Sequence, residues 1–362
     1  MKKLIFVICI CVVMLSGCGG KEIDDMAYVV AIGIDATEGG AYDFTFAIGN
    51  PNSINGGGGE DAGGGDSNVL IFETETGESI FSAGDAVSAR VGQEINFSHA
   101  ELLVFSEEVA AGGVDNFIDA LTRNLNQRPK LIPAVAVTTA KDTLESINSK
   151  FEGNPEKYLK KLFESKDALT LAAIDSRDFL CRTKNPDSGL AVPRMSVGDS
   201  ITVGAMSVFD GDTLAGAFDD VLSYKLLCGM GEDITYDIEN SGSLILNQRV
   251  KPTVSVSCYD VPKISITVNL DASVASAKPD VAKEDLYSAA ELSLKGRIFD
   301  LLMFSSADMG VDVFGFDKYA RANFLTWGKW QEYNWREKYK TAQFSLSVKI
   351  KPEKTGLITG GA

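Results

Sequence analysis

One histidine, His99, serves all 362 residues of the chain. A histidine-based zinc site is therefore set aside. A Ser-His-Asp hydrolase would have to be built on that single ring, and no Gly-x-Ser-x-Gly elbow is present to bring a serine to it. His99 reads instead as a residue at the start of a strand. Cysteine is also sparse: of six, Cys9 and Cys11 lie in an apolar leader, and Cys181, Cys228 and Cys258 are far apart and odd in number. That spacing gives neither a disulfide framework nor a metal site. Basic residues are in deficit, 34 against 50 acidic for a formal charge of -16, so nucleic acid is not an expected partner. No cofactor is implied. Adjacent carboxylates such as Glu107-Glu108 and Asp219-Asp220 point different ways in a regular helix or strand and read as solvated surface. After Met14 no apolar run approaches the roughly 20 residues of a membrane span.

What is present begins at the first residue. Lys2 and Lys3 precede an unbroken apolar run over 4–14, the length of a signal-peptide h-region. The run closes in Leu15-Ser16-Gly17-Cys18, which resembles the bacterial lipobox, where the cysteine thiol takes a diacylglyceryl group. Residues 1–17 are the expected cleaved signal, and Cys18 is the expected lipidation site and first residue of the mature chain. Each buried methylene contributes about 0.8 kcal/mol, and two acyl chains are needed for stable attachment. Loss of Lys2 and Lys3 with the leader takes the formal charge from -16 to -18. An acidic body of this kind is repelled by anionic headgroups, so it is expected to stand off the bilayer except where it meets protein.

The body reads as α+β: three consecutive mixed domains with largely antiparallel sheets, over 18–182, 198–258 and 262–362. In the first, 28–35 is a buried strand, and alternating Tyr42, Phe44, Phe46 and Ile48 make its hairpin partner across a turn at Gly39-Gly40. Between Asn55 and Asp66 lie seven glycines and two acids, which read as a surface loop. It lacks the Gly-Lys-Ser/Thr ending of a phosphate cradle. Strands follow at 69–72, 102–105 and 131–137, with helices at 80–91 and 142–150. Val114, Phe117, Ile118 and Leu121 have amphipathic helical spacing, and Asn154-Pro155 starts a further helix over 155–164. The loop-rich stretch 183–196 marks a boundary. Beyond it, 201–209 and 213–216 form a hairpin on Asp210-Gly211, with a helix over 219–227 and strand-like segments over 243–257. The last region, antiparallel in appearance, has two alternating strands, one through Ile264, Ile266 and Val268, the other through Phe344, Leu346, Val348 and Ile350. Between them Leu286, Ala290, Leu294, Ile298 and Leu301 form a helical stripe.

These segments, in this order, resemble the Ger(x)C lipoproteins, the C subunits of nutrient germinant receptors in endospore-forming bacteria. The resemblance is carried by Cys18 with Glu22-Ile23, by Ile32-Gly33-Ile34-Asp35, by Ser98-His99-Ala100-Glu101-Leu102-Leu103-Val104 and by Gly204-Ala205-Met206-Ser207-Val208-Phe209. It continues through Asp312-Val313-Phe314-Gly315-Phe316, Trp327, Trp335, the strand from Phe344 and the closing Lys354-Thr355-Gly356-Leu357-Ile358. Two departures stand out: Gly19-Gly20 replaces the usual Trp-Asp after the lipidated cysteine, and the glycine-rich loop at 56–65 is an insertion. The resemblance implies a three-domain, non-enzymatic lipoprotein working with integral-membrane A and B subunits. It implies a site on the extracytoplasmic face of the spore inner membrane, where nutrients are sensed; it names no germinant and no small-molecule ligand of this subunit. The aromatic cluster Phe324, Trp327, Trp330, Tyr333 and Trp335 reads first as core, with a contact to a membrane subunit or the bilayer interface as the competing reading. A solute-binding lipoprotein of a membrane transporter is the alternative class, and it would require two similar α/β lobes around a cleft.

Overall fold

A computed structural model describes residues 25–50, 70–123, 131–148, 174–198, 201–279 and 281–353. Cys18, the glycine-rich loop, the helix expected over 155–164 and the closing 354–358 segment lie outside the described residues. Two sheets organise the rest. The first has nine strands: β1 (Met26–Ala36), β2 (Tyr42–Gly49), β3 (Leu70–Gly77), β4 (Glu94–Asn96), β5 (Leu102–Ser106), β6 (Ile132–Ala136), β7 (Leu190–Val197), β8 (Ile201–Asp210) and β9 (Thr213–Phe218). Their order is β3-β2-β1-β5-β6-β7-β8-β9, with β4 beside the start of β1.

The four central strands β1, β5, β6 and β7 are parallel, and antiparallel hairpins complete the sheet at both edges. Parallel strands are covered on both faces and so lose their alternation. Val29, Ala31, Ile32 and Ile34 are all fully buried. One face packs beneath α1 (Ile80–Val91), α2 (Glu107–Gly112), α3 (Asp115–Arg123) and α5 (Ser176–Thr183), with Ile32, Phe44, Phe46, Phe105 and Phe179 in that core. The other is covered by α4 (Ala140–Asn148) through Ala140, Leu144 and Ile147. The Ile32-Gly33-Ile34-Asp35 segment is where α4 docks. A side chain at Gly33 would come within 3.0 Å of Leu144, so only glycine lets helix and strand approach this closely. Asp35 then accepts the amides of Ala140 and Lys141 at 2.7 and 3.0 Å, satisfying N–H groups that the helix itself cannot.

The second sheet runs β10 (Ile234–Ile238), β11 (Gly242–Asn247), β13 (Lys263–Ala277), β12 (Thr253–Ser257), with β14 (Gln343–Pro352) pairing β13. Across its face lies α7 (Lys283–Met303), which buries Leu286, Ala290, Leu294, Ile298 and Leu301. Leu346, Val348 and Ile350 are buried on β14. The helix α6 (Val221–Cys228), capped by Asp220, links the sheets.

The class is mixed α/β, and seven of the twelve strand pairings among the described residues are antiparallel, which makes the sheets largely so. Two features differ from the sequence reading. The strands expected in a middle unit over 198–258 divide between the sheets: β8 and β9 complete the first, while β10, β11 and β12 enter the second. The C-terminal region is not wholly antiparallel, because β14 runs parallel to β13 over ten residue pairs. The long α7 between them carries the chain back to the starting end, as a parallel pair requires.

Candidate functional site

The two sheets meet where the loop over 185–189, between α5 and β7, touches the segment that follows α7. That segment is irregular: a π-helical turn Phe304–Asp308, then α8 (Asp317–Arg321), α9 (Trp327–Tyr333) and α10 (Trp335–Tyr339). At its centre is Asp312, 3% exposed. Its Oδ2 accepts the Asp317 amide at 2.7 Å and the Trp335 indole N–H at 3.2 Å, and its carbonyl accepts the Gly189 amide at 2.9 Å. Around it, Asn185 Nδ2 donates to Asp317 Oδ2 at 2.9 Å, Trp330 Nε1 donates to Asp187 Oδ2 at 2.8 Å, and Arg336 pairs with Asp210. All of these except the two bonds to Asp312 Oδ2 join the first sheet unit to the segment after α7. Gly189 is essential to the closeness. A Cβ there would stand 2.2 Å from Val311 Cγ1 and 2.7 Å from the Phe209 carbonyl oxygen.

The electrostatics of this joint are unusual even for so acidic a chain. Burial pushes the Asp312 carboxyl up to about 7, the Asp317 charge adds to the rise, and the amide and indole donors oppose it. Asp312 Oδ1 and Asp317 Oδ1 are both buried without a hydrogen-bond partner. A proton on Asp312 supplies a donor in this donor-poor place and removes the like-charge conflict.

The aromatic cluster splits. Trp335 and Trp330 are buried at 0% and 2% exposure and stack with centroids 6.1 Å apart. Phe324 packs edge-on to Trp330 at 5.5 Å, and Tyr339 lies 5.6 Å from Trp335 with its ring fully enclosed. Trp327 is half exposed beneath the Arg321 guanidinium, 4.4 Å from its ring centroid, and Leu325 is almost wholly exposed.

Other residues singled out in the sequence are scattered. His99 meets the Tyr28 ring edge-on at 4.8 Å, Glu107 pairs with Arg194, and Asp220 caps α6 while pairing with Arg297. Cys181, Cys228 and Cys258 form no disulfide. Burial pushes the Cys228 thiol up to about 11. Among the described residues no three metal-binding side chains converge. Cys18 is outside them. Sequence reasoning treated Asp312 only as part of a motif; a lone acid between Val311 and Val313 was the available sign of a buried carboxylate.

Two family models match in tandem: one described as the spore germination protein N-terminal domain over 19–197, the other as spore germination B3/GerAC-like, C-terminal, over 205–356. The chain belongs to the Ger(x)C family. Relatives of this Ger(x)C chain in Bacillus subtilis (strain 168) include spore germination protein KC, 30% identical over 159 residues that make up 43% of this chain and 39% of that protein. Another is the putative spore germination protein YfkR, 29% identical over 164 residues, 44% and 41% of the two lengths. The match thus spans about two fifths of these curated relatives. A solved structure, that of the GerBC protein, superposes with a TM-score of 0.57 at 13% identity over 89% of this chain and 96% of that one, a likeness of fold. In Ger(x)C terms, the joint described above ties the N-terminal family region to the C-terminal one.

Proposed function

We propose that this chain is the lipid-anchored C subunit of a nutrient germinant receptor, held by a diacylglyceryl group on Cys18 and working beside integral-membrane A and B subunits. The tandem match of both family regions carries this reading, and its first region begins at residue 19, directly behind Cys18. In this role the chain is a binding and assembly component and not a catalyst. Its place is the extracytoplasmic face of the spore inner membrane. Anchoring confines the body to a thin layer and so raises its effective concentration near membrane partners. The alternative, a solute-binding lipoprotein, is less well supported, since the nine-stranded and five-stranded sheets are not two similar lobes.

Two experiments test this. A fatty-acid probe should label the protein and not its Cys18→Ala variant; equal labelling of both ends the anchor assignment. Spores lacking the gene, in a background from which paralogous receptors have been removed, should lose their response to the cognate nutrient while still germinating to triggers that act downstream of the receptors. Full nutrient response in those spores overturns the receptor assignment.

A further inference from the structure

The chain is strongly acidic, yet one segment is not. Over 318–340 six basic residues face two acidic ones. Lys338 and Lys340 pair with Asp260 and Glu337, and Arg336 with Asp210. Lys318, Arg321 and Lys329 have no carboxylate partner among the described residues and are exposed. The same short stretch presents Leu325 at 97% exposure, Trp327 at 50% and Tyr319 at 45%. Phe324, Trp330 and Trp335, interleaved with them, pack inward.

The location is as informative as the composition. The central strands are parallel, so β1, β5, β6 and β7 begin at one end of the first sheet. The 185–189 loop precedes β7 and Asp210 closes its antiparallel neighbour β8, and these are the residues that hold the 310–340 segment. The segment therefore sits at the end where β1 starts. Asp25 lies seven positions beyond Cys18, at most about 25 Å of extended chain. A lipid on Cys18 keeps that end at the bilayer.

We infer that the surface formed by Tyr319, Leu325 and Trp327 with Lys318, Arg321 and Lys329 seats on an anionic phospholipid bilayer. Aromatic rings with a polar edge and aliphatic tips belong at the headgroup level, and adjacent basic groups are drawn to anionic lipid. The remainder of the chain, more acidic still once this segment is discounted, is repelled by the same headgroups. Attraction at one site and repulsion elsewhere fix an orientation that a lipid anchor alone does not. The orientation rests on the Cys18 anchor proposed above; the surface chemistry does not.

The test uses the full acylated chain on vesicles of phosphatidylcholine, with or without phosphatidylglycerol, carrying brominated acyl chains that quench nearby indoles. Flotation with the vesicles reports the anchor. Quenching that disappears in Trp327→Phe reports the surface. The expected result is Trp327-dependent quenching that is strong with phosphatidylglycerol and weak without it. It should be lost in the Lys318→Glu/Arg321→Glu/Lys329→Glu variant and suppressed by molar salt, where screening shortens from about 8 Å to about 3 Å. The triple variant should still float and melt as wild type does, because all three side chains are exposed. A chain that floats without Trp327 quenching overturns the bilayer surface while leaving the anchor intact. A chain that fails to float, yet binds anionic vesicles with Trp327 quenched, supports the surface and sinks the anchor. Trp327 protected only when membrane subunits are added overturns the proposal in favour of a protein contact.

Discussion

Trp335 and Trp327 belong to one aromatic run, and the fold uses them in opposite ways. Trp335 is enclosed, its ring stacked on Trp330 and packed against Tyr339, its N–H committed to a buried carboxylate. Trp327 opens the helix whose far end leads to Trp335, yet half its surface meets solvent and its partner is a cation. Identical side chains a few residues apart thus serve packing in one place and leave a free face in the other. Aromatic density in a sequence does not say which; the neighbours that arrive from the first sheet do.

The comparison breaks most visibly if the two tryptophans are removed separately. Trp335→Ala leaves a cavity and takes a donor from Asp312, and should destabilise by about 3–5 kcal/mol. Trp327→Ala should stay within about 0.5 kcal/mol. Denaturant midpoints measure both, and coincident midpoints would mean that the two rings are not differently placed. A smaller effect separates two glycines. Gly189→Ala forces a methyl into Val311 and a backbone carbonyl and should cost about 2 kcal/mol, with faster amide exchange at the joint. Gly204→Ala meets open space and should leave the melting temperature unchanged. If Gly189→Ala melts like wild type, the halves are not held together as closely as the geometry requires.

The last effect is read as a slope, and it lies in pH. Asp312 binds its proton up to about pH 7 in the fold but only up to its ordinary 3.8 when unfolded. Between these values the native state holds more protons, so this group makes stability fall as pH rises from about 4 to about 7, by at most about 1.4 kcal/mol per pH unit, and adds no further slope above that. Below pH 4 its contribution is fully present. Asp312→Asn keeps a neutral side chain of the same shape and should flatten this part of the stability profile. Subtracting the variant's pH profile from that of wild type isolates it; parallel profiles would show that Asp312 is ionised throughout.

Local features were legible in the sequence. The turns at Gly39-Gly40 and Asp210-Gly211 carry the glycines Gly40 and Gly211 at positive φ, and the alternation through Ile264, Ile266 and Val268 describes a strand buried on one face. Those signals lie within a few residues of one another. The parallel centre of the first sheet was not legible, because β1, β5, β6 and β7 are brought together from positions spread over 26–197, and an apolar run does not reveal its neighbour's direction. The joint was hidden for the same reason. Asp187 and Trp330 are 143 positions apart, and each alone looks like an ordinary surface acid and an ordinary core ring.

The β13 and β14 ladder sets an order of folding. Its partners, beginning with Lys263 against Gln343, stand eighty positions apart, so closing it means ordering a long intervening chain before any pairing is gained, a slow step. The last residue of the first sheet is Phe218, and a chain emerging from its N-terminus can assemble that unit early. The second unit must wait for almost the final residues. Until they arrive, one edge of β13 is an open row of amides and carbonyls, and Ile264, Ile266 and Val268 lack their lateral neighbours Phe344, Leu346 and Val348. Such an edge is a template for pairing with other chains. A message truncated even shortly before residue 343 would yield a sound N-terminal unit tethered to an aggregation-prone remnant, and the yield of folded protein would be decided by the last strand to emerge.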